Sequence, residues 1–323
     1  MAVLRGRGRL NLKLQLPNCS DECPRIIPFL PPSDTTTTAA VTAIPAAELE
    51  KLEVLGRGNG GTVYKVQHKP TSNIYALKVV HGVGDQSIYK QVLREKDILR
   101  NTDSPYIIRC YEIYEKPSGD DVALLLEYMD GGTLDTVLKN QGHFSEPEVA
   151  HITRQVLEGL HYLHSKKIMH RDIKPSNLLV NKNNMEVKIA DFGVSKVSSD
   201  SLPLDPRNSY VGTCAYMSPE RFDPDSNGGN YDGFLGDIWS LGVTVMELYV
   251  GHFPLLPPDQ NPSWITLMCA ICFGDPPSLP PGASDEFQSF LDCCLQKEPS
   301  KRWSASQLLD HPFLLKYQGI HIR

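Results

Sequence analysis

The feature that most constrains this 323-residue chain is one short stretch, His170-Arg171-Asp172-Ile173-Lys174-Pro175-Ser176-Asn177. It sets an imidazole, two cations, a carboxylate and a carboxamide side by side. As structure alone it would be a polar loop around a buried histidine. As chemistry it places a base next to positive charge and a metal-type amide. Shortly after it, Val187-Lys188-Ile189-Ala190 reads as a strand that delivers Asp191-Phe192-Gly193. An aspartate at a strand end, before a Phe-Gly hinge, suits a hard cation such as Mg²⁺.

Upstream, Leu55-Gly56-Arg57-Gly58-Asn59-Gly60-Gly61-Thr62-Val63 carries the spacing G-x-G-x-x-G. Glycines let a backbone approach phosphates closely. A dinucleotide-binding version of the motif runs strand, glycines, helix. Here Thr62-Val63-Tyr64-Lys65-Val66 continues as a strand, so the glycines turn a hairpin that can fold over a nucleotide. That order argues against a dinucleotide-dependent oxidoreductase. The next strand, Ile74 to Val80, carries Lys78, and a helix is expected around 87–100. Ile88, Val92 and Leu99 mark its apolar face, and Glu95 falls on the same stripe. A carboxylate on a buried face needs a partner, and Lys78 is the suitable one. Such a pair beneath the hairpin would hold the α- and β-phosphates of ATP.

The patterning changes along the chain. Leu52–Lys65, Ile74–Val80, Tyr106–Glu115 and Val122–Tyr128 read as strands. From Leu134 onward the signal is mostly helical. Ser145-x-x-Glu148 is a capping box, with Pro147 in the first turn and Val149, Ile152, Val156, Leu160 and Leu163 at helical spacing behind it. Asp237–Tyr249 and Ser284–Leu295 are further helices. The expected architecture is α+β, a small strand-rich lobe followed by a larger helical one. No apolar run is long enough for a membrane span. The net charge of −6 argues against polyanion binding, so nucleic acid is not an expected partner. Eight cysteines are too sparse for a disulfide scaffold. Cys269-x-x-Cys272 and Cys293-Cys294 lie in apolar stretches and read as reduced core thiols rather than a zinc site, in a cytoplasmic or nuclear setting. Residues 1–47 are rich in proline and threonine and read as a flexible tail.

Taken in order, Gly56/Gly58/Gly61, Lys78, Glu95, His170–Asn177, Asp191–Gly193 and Ser218-Pro219-Glu220 resemble the eukaryotic protein kinase signature. Asp130-Gly131-Gly132, Asp191-Phe192-Gly193-Val194-Ser195 and Val211-Gly212-Thr213-Cys214-Ala215-Tyr216-Met217-Ser218-Pro219-Glu220-Arg221 are similar to MAP kinase kinases. Trp264 to Gly274 resembles the plant branch, group D. The resemblance implies a two-lobed kinase domain over 48–315, with its N-lobe at 48–126, hinge at 127–132 and C-lobe at 133–315, and a short tail at 316–323. It also implies the residue roles. Asp172 would accept or orient the substrate hydroxyl proton, and Lys174 would steady the γ-phosphoryl group. Asn177 and Asp191 would hold Mg²⁺. Lys78, placed by Glu95, and the hairpin Leu55–Val63 with Thr62 would bind ATP. Leu126 takes the gatekeeper place, with the backbone of Glu127 and Met129 meeting adenine. Glu220 with Arg302, and Asp237, match scaffold positions.

The implied activity is phosphorylation of the activation-loop Thr and Tyr of a MAP kinase, with an upstream MAP kinase kinase kinase as activator and the chain acting as a monomer. The rival reading is a pseudokinase scaffold that binds a MAP kinase without transferring phosphate. Ser209 fits the second family phosphosite. Pro203 occupies the nominal first site, so either Ser201 replaces it or Ser209 acts alone. In the tail, Arg5, Arg7 and Arg9 precede Leu10, Leu12, Leu14 and Leu16. Residues 5–16 thus resemble a MAP kinase docking peptide, a basic cluster followed by alternating apolar residues.

Overall fold

The computed structural model describes residues 43–58, 61–81, 86–115, 121–197, 214–222, 232–257, 263–275 and 277–319. The expected docking residues Arg5, Arg7, Arg9, Leu10 and Leu12, the expected phosphosites Ser201 and Ser209, and Asn59 and Gly60 of the hairpin lie outside them.

The small lobe is an antiparallel sheet of β1 (Leu49–Gly58), β2 (Gly61–His68), β3 (Ile74–His81), β4 (Cys110–Glu115) and β5 (Asp121–Glu127), ordered β1-β2-β3-β5-β4. Helix α1 (Gln86–Asn101) connects β3 to β4. Period-2 alternation divides the sheet's faces. Leu77 pairs with Leu125, and both join Leu49 and Val66 in one cluster. Val80 pairs with Val122, and on the other face both meet Val92 of α1.

The expected strand over Tyr106–Glu115 is shorter than its residue types suggest. Ladder pairing begins at Cys110. The preceding residues cross to the other lobe instead. Ile189 N–H donates to the Tyr106 carbonyl at 2.9 Å, and Ile108 N–H donates to the Ile189 carbonyl at 3.0 Å.

The large lobe begins with β6 (Gly132–Thr133), α2 (Leu134–Gln141) and α3 (Glu146–Ser165). Thr133 Oγ1 accepts the Thr136 N–H at 3.1 Å, which caps α2. The Glu148 carboxylate accepts the Ser145 N–H at 2.7 Å, which closes the start of α3. Val149, Ile152, Val156, Leu160 and Leu163 are all buried. Short strands β7 (Ile168–Met169), β8 (Leu178–Val180), β9 (Val187–Ile189) and β10 (Lys196–Val197) follow. They pair as β6-β8-β9 and β10-β7. Then come α4 (Pro219–Phe222), α5 (Gly233–Val250), α6 (Trp264–Met268), α7 (Asp285–Cys294), α8 (Ala305–Leu309) and α9 (Pro312–Lys316). Helix α5 is apolar nearly all round and almost wholly buried, so the lobe packs around it.

One core expectation fails. Helix α6 runs into a π-helical turn at Cys269–Phe273, and Ile265, Cys269 and Phe273 are exposed on it. The apolar run around Cys269 is therefore partly a surface stripe. Cys110 and Cys294 are buried thiols, and burial pushes Cys110 up to about 12.

Candidate active site

Strand β3 sets Lys78 opposite Val63 of β2 and Leu124 of β5. Helix α1 turns Glu95 inward on the stripe of Val92 and Leu99, so both members of the expected pair are buried. Lys78 Nζ donates to the two Glu95 oxygens at 2.7 and 2.8 Å, and to Asp191 Oδ1 at 3.0 Å. Burial opposes the lysine's charge, but two carboxylates outweigh it and hold its pKa above the ordinary range. The same ammonium holds the Asp191 carboxyl below its usual range. Lys78, shared between Glu95 and Asp191, thus ties the helix to the Asp191–Gly193 turn.

The loop after β7 hangs from α5. Asp237, fully buried, accepts the His170 N–H at 2.8 Å and the Arg171 N–H at 2.6 Å, and it meets His164 Nε2 at 2.9 Å. Arg171 adopts φ 72° and Asp191 φ 65°, left-handed values that are uncommon for such residues. Strain of this kind persists only where the surroundings over-determine it. Here the Asp237 bonds do so at Arg171. Asn177 Nδ2 donates to the Asp172 carbonyl and to Asp172 Oδ2, both at 2.8 Å. Lys174 Nζ sits 2.8 Å from the same Oδ2. Asp172 Oδ1 is buried and has no hydrogen-bond partner among the described residues. The carboxylate is thus anchored through one oxygen and keeps the other as an acceptor.

The glycine-rich hairpin joins β1 to β2. Gly56 pairs with Val63, Arg57 with Thr62 and Gly58 with Gly61. A Cβ on Gly56 or Gly58 would meet nothing within 4 Å, whereas one on Gly61 would strike the Val79 carbonyl oxygen at 2.1 Å. Leu55 stands exposed where the β1–β2 register shifts. At the hinge, Leu126 is half-buried and Met129 buried. Glu127 N–H donates to the Arg109 carbonyl at 2.9 Å, so its own carbonyl is what it can offer to a base edge. Glu95 touches Lys78 rather than the cleft surface, and its part is to place that lysine.

Three arrangements escaped the sequence reading. Lys188 Nζ binds both Glu127 oxygens at 2.8 and 3.0 Å. Arg221 donates to the Arg171 carbonyl at 2.8 Å. Tyr216 O–H donates to Glu247 at 2.6 Å, and burial pushes that carboxyl up to about 7. A lysine inside an apolar strand, as at Lys188, is a readable signal for a hidden partner, but its identity is not.

The donor set fits a divalent cation. The Asn177 amide directs its nitrogen at Asp172, which turns its oxygen the other way. Asp191 is held toward its ionised form by Lys78, and its side chain keeps an exposed face. Hard oxygens of this kind suit Mg²⁺. The hairpin backbone at Gly56 and Gly58 is open, which leaves it accessible to a phosphate chain.

The protein kinase domain family matches residues 49–314. The chain is similar to mitogen-activated protein kinase kinase 9 of Arabidopsis thaliana, 58% identical over 97% of this chain and 99% of that protein. It is 56% identical to mitogen-activated protein kinase kinase 7 of the same plant, with the same coverage. Its identity to mitogen-activated protein kinase kinase 8 is 48% over 98% of this chain and 99% of the relative.

Proposed function

The chain belongs to the protein kinase family, on the branch of the mitogen-activated protein kinase kinases, and from that premise we propose that it phosphorylates the activation-loop Thr and Tyr of a MAP kinase, using ATP with Mg²⁺. One observation carries the proposal. Asp172 is fixed through Oδ2 by Asn177 and Lys174, while Oδ1 stays buried and unsatisfied among the described residues. A buried acceptor without a donor is costly. A substrate hydroxyl supplies the missing donor.

The reaction then follows from position and charge. The hydroxyl donates to Asp172 Oδ1, and its oxygen attacks the γ-phosphorus of ATP while the bond to ADP breaks. Asp172 orients or takes the proton. Lys174, beside Asp172, places positive charge where the transferring group passes. Lys78 holds the α- and β-phosphates. Asn177 and Asp191 would hold Mg²⁺, which neutralises phosphate charge when bound. Transfer of this kind needs mainly positioning and electrostatic stabilisation, and these side chains are already oriented by the fold.

An upstream MAP kinase kinase kinase is the proposed activator, acting at Ser209, with Ser201 as the proposed first site. The basic-apolar stretch with Arg5, Arg7, Arg9, Leu10 and Leu12 is the proposed tether to the MAP kinase, with basic residues meeting an acidic patch and leucines meeting pockets.

The test is to incubate the purified, upstream-activated protein with Mg²⁺, ATP and a panel of catalytically inactivated MAP kinases, and to map phosphate by mass spectrometry. Phosphate on both the Thr and the Tyr is expected. Asp172→Asn should lower the rate by about 10²–10⁴ with the fold retained. If ATP binds but no MAP kinase is modified, the scaffold reading replaces this one.

A further inference from the structure

Strand β9 reads Val187-Lys188-Ile189 and is buried at every position, Lys188 included. A buried ammonium demands a partner, and the nearer of its two carboxylates is not local. Lys188 Nζ binds both oxygens of Glu127, 61 positions away, and lies 3.3 Å from Glu186. Glu127 ends β5, the last strand of the small lobe. Lys188 belongs to the large lobe. Their ion pair therefore spans the two lobes.

The pair is braced on each side. Glu127 Oε2 also accepts the Arg109 N–H at 3.3 Å, and the Glu127 N–H returns to the Arg109 carbonyl at 2.9 Å. Ile189, next to Lys188, exchanges backbone bonds with Tyr106 and Ile108 of the same crossing segment. The segment, the hinge and β9 form one hydrogen-bonded knot. Arg109 stacks on Tyr111 at 5.2 Å, and Tyr75 meets Tyr111 edge-on at 5.0 Å, which walls the knot on the small-lobe side.

Both ends of the ion pair lead to parts of the cleft. On one side Glu127 begins the 127–129 segment read as the adenine contact. On the other, β9 continues through Ala190, whose N–H donates to the Asn177 carbonyl at 2.9 Å, to Asp191. We propose that the Glu127–Lys188 ion pair is a positioning device that sets the spacing between the adenine-binding hinge and the metal-binding Asp191. Neither side chain acts on the reacting atoms. The inference rests on the reading of the cleft as an ATP site. A nucleotide bridges the two ends, so slack between them misplaces its phosphates. Small misplacements of reacting groups cost rate steeply.

The experiment uses the full-length protein and its Lys188→Met, Glu127→Gln and double variants, together with Lys188→Arg. ATP and ADP binding are measured by calorimetry, KM for ATP and kcat by steady-state kinetics, and stability by urea unfolding. The expected result is a rise in KM for ATP and in the ADP dissociation constant of about 5- to 20-fold in each single variant. The double variant should be no worse than the singles, because one coupling is lost either way. Lys188→Arg, which keeps a bidentate cation, should recover most of the affinity. Lowered urea midpoints with unchanged nucleotide affinity would overturn the proposal and leave the pair a purely structural contact. Tighter nucleotide binding or faster turnover in the single variants would also overturn it, because the pair would then restrain the cleft rather than set it. If the wild-type protein itself fails to bind ATP, the underlying reading of the site has failed instead.

Discussion

Each lobe contains a buried ion pair, and the two differ in how completely they are closed. Arg302 and Glu220 in the large lobe are both fully buried, with parallel bonds of 2.6 and 2.7 Å. The remaining guanidinium donors reach the carbonyls of Gln296, Leu235 and Lys297, and the group stacks on Trp239 at 5.1 Å. Charge and hydrogen bonds are both satisfied internally. Lys78 and Glu95 are nearly as buried, but Lys78 also faces Asp191, whose side chain is 45% exposed. One cation serves two carboxylates there. A closed pair has nothing left to offer a ligand, whereas an open one keeps charge and an exposed oxygen for it. The first is a feature of the fold and the second a feature of the site.

The largest effect that tests this contrast is Arg302→Met. Removing one partner of a buried pair leaves the other charge stranded, at a cost of about 3–5 kcal/mol. Urea unfolding should show that loss, while the activity of the molecules that remain folded stays close to wild type. A loss below about 1 kcal/mol would mean that water already reaches the pair. Lys78→Met should show the reverse balance. Turnover should fall by about 10²–10³, the usual worth of one preorganised charge at a transferring group. Its urea midpoint should move less than that of Arg302→Met. Equal destabilisation by the two substitutions would erase the distinction between closed and open pairs.

The hairpin repeats the contrast on a smaller scale. Gly61 has φ +110°, and an added Cβ would lie 2.1 Å from the backbone oxygen of Val79, the neighbour of Lys78. That site is closed by the fold. Gly56 faces open space. Gly61→Ala should lower stability by about 1–3 kcal/mol, the range for forced backbone strain. Gly56→Ala should leave stability within about 0.5 kcal/mol and raise KM for ATP. Thermal melts with ATP titrations separate the two. A Gly56→Ala protein that melts early but binds ATP normally would show that Gly56 also serves the fold.

The sequence made some of this visible because local rules and tertiary demands agree there. Glu95 announces its partner by falling on the apolar stripe of Val92 and Leu99, and the α3 helix begins at its capping box. Tyr106–Ile108 carry residues with strand preference, yet their backbone bonds go to β9 rather than to a ladder, a choice made by lobe packing. The run around Cys269 is apolar enough for a core, but the turn that carries it points its stripe at solvent. Lys188 signals that some carboxylate must meet it, and only the three-dimensional crossing of hinge and β9 selects Glu127. The resemblance to kinases supplied Asp237. Its bonds to the His170 and Arg171 N–H groups could not be deduced from spacing.

The smallest expected effect extends the comparison to pH and concerns the open side of the molecule. His170 is fully buried, stacks edge-on against Phe192 at 5.1 Å, and places Nε2 3.1 Å from the Ala190 carbonyl. Its Nδ1 accepts the Asp172 N–H at 3.3 Å, which assigns the proton to Nε2 in the neutral ring. A second proton would have to enter at Nδ1, against that N–H. Burial accordingly lowers the His170 pKa below its ordinary 6.5, with Asp237 and Asp172 opposing the shift in part. The unfolded chain binds this proton more readily than the folded one, so the linkage has a definite sign. The stabilisation is complete above about pH 6.5 and declines as pH falls from there toward the lowered folded value, by at most about 1.4 kcal/mol per pH unit. His151 and His311 are lowered by burial in the same direction, so His170→Gln should flatten the decline in urea midpoint between pH 7 and 5 without abolishing it. If the slope is unchanged in His170→Gln, the folded ring takes up its proton as readily as the unfolded one. The Asp172 N–H would then need another acceptor, and the anchoring of the open site would have to be redrawn.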